Sequence, residues 1–230
     1  MALNMLKTAR PLDVGQQAGD DPRPLTIPEH LLLLALDEGR GAFREGFDHG
    51  LAGAALAELD VTGRIEITRT AVSTAAAAPT GDRSLDAVSG LIGATEPVRS
   101  PAEWVSVLAR TGLRERTIER LIARGILEER QRSPLGRWGR NRYRIAPPRL
   151  RIFLLARFHH SALAGGALER RQATLVALTV ACGLLESLFA PAVRTRARAA
   201  AAGLVSRDVV ARAVADALER GQRDAAARVG

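Results

Sequence analysis

Lysine is all but missing from this chain: of its 33 basic residues only Lys7 is a lysine, and the rest are arginines. Guanidinium groups suit bidentate phosphate contacts, although GC-rich coding also enriches Arg, Ala and Gly together. Cysteine occurs once, at Cys182, which excludes an intrachain disulfide and fits a reducing cytoplasm. Aromatic residues make up 3% of a chain that is 47% hydrophobic, so the core must be built from Ala, Leu and Val, as in a helical protein. No apolar run reaches the ~18 residues that a membrane span requires. The first 24 residues hold no continuous stretch of signal-peptide type. Any membrane contact is therefore expected to be peripheral.

What is present is length and positive charge. The 230 residues make one large domain or two small ones, enough to bury a core. A formal charge of +8 and a pI near 11.2 point to an anionic partner: nucleic acid, acidic lipid or acidic protein.

The most informative stretch runs from Leu25 to Leu59. Thr26 and Glu29 stand at capping-box spacing with Pro28 in the first turn, and Leu31 to Leu34 leave no polar stripe, so this helix is expected to be buried on most sides. A short helix follows over residues 48–60, an exposed strand over 64–68 and a helix over 82–93. Ser100-Pro101-Ala102-Glu103 is a second capping box. Residues 114–124 read as a helix closed by Gly125, and 126–132 and 140–145 as the two strands of a hairpin. An amphipathic helix is expected over 149–164, a long buried one over 171–189 and a last one over 206–220.

Two groups of residues suggest an anion site. Arg110 and Arg114 lie four apart and share a helical face if the helix runs through Gly112; if it breaks there, Arg114 falls in the first turn of a new helix, where amides and dipole favour an anion. On the hairpin, Arg140, Arg142 and Arg144 alternate along one strand face, with Leu135 and Trp138 at the tip, an arrangement suited to a bilayer interface. Helix 114–124 followed by a basic hairpin is also the pattern of a winged helix. Its presumed recognition helix, however, has no Asn or Gln, and Glu115 and Glu119 oppose phosphate.

Catalysis finds little support. His159 and His160 are adjacent rather than spaced as metal ligands, Cys182 sits among small apolar residues, and Gly39-Arg40-Gly41 fits no phosphate-loop spacing. An internal ion pair or cap is expected among Arg170, Arg171 and Glu186. Nothing calls for a cofactor or a metal.

Pro79-Thr80-Gly81-Asp82 with Leu85-Asp86, then Leu121-Ile122-Ala123-Arg124-Gly125-Ile126-Leu127, and then Leu184-Leu185-Glu186-Ser187-Leu188-Phe189-Ala190-Pro191 follow the first helix in order. As an ordered set over roughly residues 25–220, they resemble the Golgi phosphoprotein 3 (GPP34) family in its shorter, bacterial form. The resemblance implies a non-enzymatic protein with a shallow pocket of one Trp and three Arg for phosphatidylinositol 4-phosphate. On this chain the Trp position falls on Phe43 and the arginines on Ala52, Thr111 and Arg114, so only Arg114 is retained outright, with Arg110 one residue away. The resemblance also implies that the hairpin takes part in membrane contact and in oligomer formation.

The expectation is a mainly α protein, a single compact helical domain over residues 25–220 with a small β-hairpin, between flexible segments 1–24 and 221–230. It would be a cytoplasmic adaptor on the inner face of a membrane, binding phosphatidylinositol 4-phosphate or another anionic phospholipid. A client protein and a second copy of itself are further partners that the family allows. The rivals are a winged-helix DNA-binding regulator and a soluble interaction scaffold without a lipid ligand.

Overall fold

The computed structural model describes residues 23–37, 39, 41–43, 47–75, 78–130, 142–164 and 168–227. Among them the fold is mainly α, with ten helices and three two-stranded antiparallel sheets.

Helix α1 (Ile27–Ala35) opens with both bonds of its capping box: Thr26 N–H donates to Glu29 Oε2 at 2.8 Å, and Glu29 N–H donates to Thr26 Oγ1 at 3.4 Å. Leu31 to Leu34 are all buried, as their unbroken apolar run demands. Beyond α1, β1 (Leu36–Asp37) pairs with β2 (Ala42–Phe43), with Leu36 opposite Phe43. Gly41 in the turn between them has φ +63°, and a Cβ there would lie 2.9 Å from that of Arg142, so both backbone conformation and close approach require glycine.

Helix α2 (Phe47–Val61) is the central element and is buried over most of its length. Its Gly and Ala content allows close packing. A Cβ on Gly50 would lie 2.4 Å from Cys182 Sγ, and one on Gly53 2.3 Å from Val214 Cγ2. Cys182 is thus a packing residue, its thiol pushed up to about 12 by burial.

Strand β3 (Ile65–Ile67) pairs with β4 (Val72–Thr74), a partner the sequence did not suggest. The expected exposed strand also turns Ile65 fully inward, although its partner Thr74 on β4 is exposed. Helix α3 (Arg83–Gly93) is capped by Asp82, whose Oδ1 accepts from Ser84 and Leu85 N–H, and α4 (Pro101–Leu108) by the Ser100–Glu103 box.

Gly112, at φ +71°, ends the turn after α4 and begins α5 (Leu113–Ala123). The hairpin strands follow as β5 (Leu127–Arg130) and β6 (Arg142–Ile145), and then α6 (Pro148–Ala164). The long helix expected over 171–189 is instead two: α7 (Arg170–Ala181) and the single turn α8 (Leu185–Leu188), separated at Gly183, whose φ of +65° no helix can carry.

Helix α9 (Pro191–Arg207) had no clear apolar stripe to announce it, because it meets the core through Ala197 and Ala201 alone among its fully buried residues. Asp208 then caps α10 (Val209–Ala227), accepting from Ala211 N–H at 2.8 Å. The helix buries Val210, Ala213, Val214 and Ala217 and continues past Gly221. The expected pairing of Arg170 or Arg171 with Glu186 does not occur. Arg170 meets Asp60, Arg171 meets buried Glu58, and exposed Glu186 meets Arg194 and Arg198 on α9. Among the described residues, no helix is long and apolar enough to cross a membrane.

Candidate functional site

The break at Gly112 decides between the two geometries open for Arg110 and Arg114. They do not share a helical face: Arg110 lies exposed in the turn after α4, and Arg114 occupies the first turn of α5. No side chain caps that turn, so its positive end is available to an anion. The first turn of α2 converges on it, because Arg114 Nη2 donates to Asp48 Oδ2 at 2.9 Å, where Asp48 is the acidic residue of that turn. Arg114 is 24% exposed and Asp48 40%, and Arg114 Nε is buried with no partner among the described residues. The first turns of α2 and α5 are thus joined by an ion pair, and the first turn of α5 also carries the acidic Glu115.

Phe43, on β2, stands four residues before α2 begins. It is half-buried, its ring centroid 5.7 Å from that of Tyr143 on β6. Tyr143 N–H also donates to Gly41 O at 2.9 Å, so the β1–β2 turn is pinned to the base of the hairpin. Tyr143 and Asp48 were not anticipated as members of this region. Nothing local in the sequence marks a contact that joins residues 66 apart, as Asp48 and Arg114 are.

The other two positions of the family pocket supply nothing. Ala52 is fully buried within α2, and Thr111 turns its hydroxyl back onto Leu108 O at 2.8 Å, closing the end of α4.

On the hairpin, the register places Glu128 opposite Arg144 and Arg130 opposite Arg142, all exposed, while Tyr143 and Ile145 turn inward as the alternation predicts. Arg144 is paired with Glu128 across the strands. The outer face therefore keeps three arginines and one acid, and the basic character is weaker than Arg142 and Arg144 alone suggest. Leu135, Trp138 and Arg140 lie outside the described residues.

Helix α5 has little to offer a nucleic acid. Arg120 Nε donates to Glu29 Oε1 at 2.9 Å and also meets Asp82, and Arg124 Nη1 reaches both Glu29 oxygens at 3.0 and 2.9 Å. Two of its arginines are thereby turned into the core, and the side facing solvent presents Glu115, Glu119, Ile122 and Ala123. His159 Nε2 lies 2.7 Å from Leu188 O, while His160 is exposed. Among the described residues no cluster of His, Cys, Asp and Glu could hold a metal ion.

Compared with known families, the chain matches Golgi phosphoprotein 3 (GPP34) over residues 27–220. No curated protein matches it.

Proposed function

The chain belongs to the Golgi phosphoprotein 3 family, and on that premise we propose that it is a non-enzymatic peripheral adaptor whose Arg114 region receives the phosphate of an anionic phospholipid headgroup. The observation that carries this reading is the convergence of the first turns of α2 and α5 on Arg114, with no side chain capping α5. Arg110 in the adjoining turn adds a second cation, and Phe43 an aromatic edge near the hairpin base. The hairpin is the second contact, either with headgroups or with another copy of the chain. The protein acts at the inner face of a membrane, and a client protein is the further partner.

Phosphatidylinositol 4-phosphate is the ligand that the resemblance to eukaryotic members implies. With Ala52 and Thr111 in place of two arginines, the site offers fewer charge-assisted bonds, each worth about 1.5–3 kcal/mol, and a less selective preference for anionic headgroups follows. The Asp48–Arg114 pair is the one observation that favours a scaffold without a lipid, because the cation is already engaged. Flotation with vesicles containing phosphatidylinositol 4-phosphate, phosphatidylglycerol or neutral lipid alone, run beside a duplex DNA shift assay, tests the reading. Binding to the anionic vesicles supports it, and binding only to DNA or to neither overturns it.

A further inference from the structure

Helix α6 has a two-sided pattern that the Arg114 region does not use. Leu150, Leu154, Phe158 and Ala162 face the core. On the opposite side Arg149, Ile152, Ala156, Arg157 and His160 are exposed, and Phe153 is half-buried with the Arg157 guanidinium 5.7 Å from its ring centroid. Ile152 is 70% exposed, more than any other large hydrophobic residue described. Positions 149, 152, 153, 156 and 160 recur at helical spacing and form one stripe.

The electrostatics of that stripe are one-signed. Across its 17 residues α6 holds three arginines, two histidines and no acid. It packs against α9, whose 17 residues also contain no acid and which adds exposed Arg196 and Arg198. Glu186 is the carboxylate that pairs there, with Arg194 and Arg198. A phosphodiester backbone would be matched by these cations, but Ile152 and Phe153 at the centre of the face would lose contact with water without gaining an apolar neighbour. An anionic bilayer satisfies both. Its acyl boundary takes up the aliphatic and aromatic groups, while Arg149 and Arg157 reach the phosphates on either side.

We propose that the outer face of α6, centred on Ile152 and flanked by Arg149 and Arg157, is an interfacial helix that lies flat on anionic phospholipid. This rests on the peripheral-membrane reading above and extends it. Helix α6 begins three residues beyond the end of β6.

The test uses the full chain and vesicles of phosphatidylcholine with or without phosphatidylglycerol. Ile152→Asp should keep the wild-type melting temperature, because the side chain is exposed, and should bind anionic vesicles roughly ten- to a hundredfold more weakly, the effect of keeping one large aliphatic group out of the apolar layer. An environment-sensitive fluorophore on Ile152→Cys, in a Cys182→Ala background, should shift to the blue with anionic vesicles and not with duplex DNA. If wild type binds the vesicles, and either Ile152→Asp binds equally or the fluorophore is unmoved, the α6 assignment alone is overturned. If wild type binds no vesicle, both readings fall. If DNA rather than vesicles moves the fluorophore, the face is a nucleic-acid surface and the bilayer assignment is wrong.

Discussion

Arg114 and Asp48 stand 66 residues apart in the chain and 2.9 Å apart in the fold, each in the first turn of its helix. At partial exposure such a pair contributes little to stability, about 0.2–1 kcal/mol, so its larger consequence is for binding. Asp48 competes with any phosphate for the same guanidinium. Asp48→Asn should therefore bind anionic vesicles several-fold more tightly than wild type, and Arg114→Ala more weakly, with both variants melting close to wild type. Vesicle titration beside thermal melts checks this; tighter binding by Arg114→Ala would show that the pair does not guard the site.

Glu29 is the opposite case, a carboxylate 1% exposed that accepts from Thr26 N–H and from the guanidinium groups of Arg120 and Arg124. Removing its charge takes from buried Arg124 the carboxylate whose two oxygens it contacts, and leaves Arg120 with Asp82 alone. Glu29→Gln should cost about 3–5 kcal/mol in chemical unfolding. A loss below about 1 kcal/mol, the range of an exposed pair, would contradict that role.

His30 titrates far from its ordinary value, lowered from 6.5 to about 4 by burial and then by the nearby Arg157 and Arg171 guanidinium groups. Between these values the unfolded chain binds a proton that the native protein does not, so stability is full above pH 6.5 and falls as the pH drops toward 4, by at most about 3 kcal/mol. His30→Gln should flatten that part of the profile. An unchanged slope in denaturant midpoints from pH 7 to 4 would exclude His30 as its source.

Trp138 should report membrane contact. Trp104 is fully buried with its Nε1 unpartnered among the described residues, so Trp104→Phe removes no hydrogen bond there and leaves one indole to watch. In that background anionic vesicles should shift the emission to the blue, as expected for an indole at headgroup depth. A change in self-association on Trp138→Ala, with emission unmoved by vesicles, would make the hairpin an oligomer contact instead.

The sequence was most legible where the governing interactions are local. Both capping boxes and the Gly125 stop depend on residues within a few positions of each other, and all formed as spaced. Strand alternation over residues 142–145 follows the expected pattern for the same reason. Two contacts that escaped were set by distant neighbours: the Glu58–Arg171 pair and the Arg114–Asp48 pair each join segments with no shared pattern. Helix α9 was missed because alanine and arginine give a weak stripe, and α7 was drawn too long because Gly183 lies inside an apolar run. At the candidate site, the break at Gly112 was visible as an option, but its outcome and the carboxylate opposite Arg114 needed the fold.

Whether Arg114 brings this protein to anionic phospholipid is decided by co-sedimentation of wild type and Arg114→Ala with vesicles of rising anionic content at low and physiological salt. Wild-type binding should rise with anionic lipid and weaken with salt, because attraction is screened over ~8 Å at physiological ionic strength, and Arg114→Ala should bind less at every composition while melting normally. Equal pelleting with neutral vesicles, or an Arg114→Ala curve that overlays wild type, would contradict it.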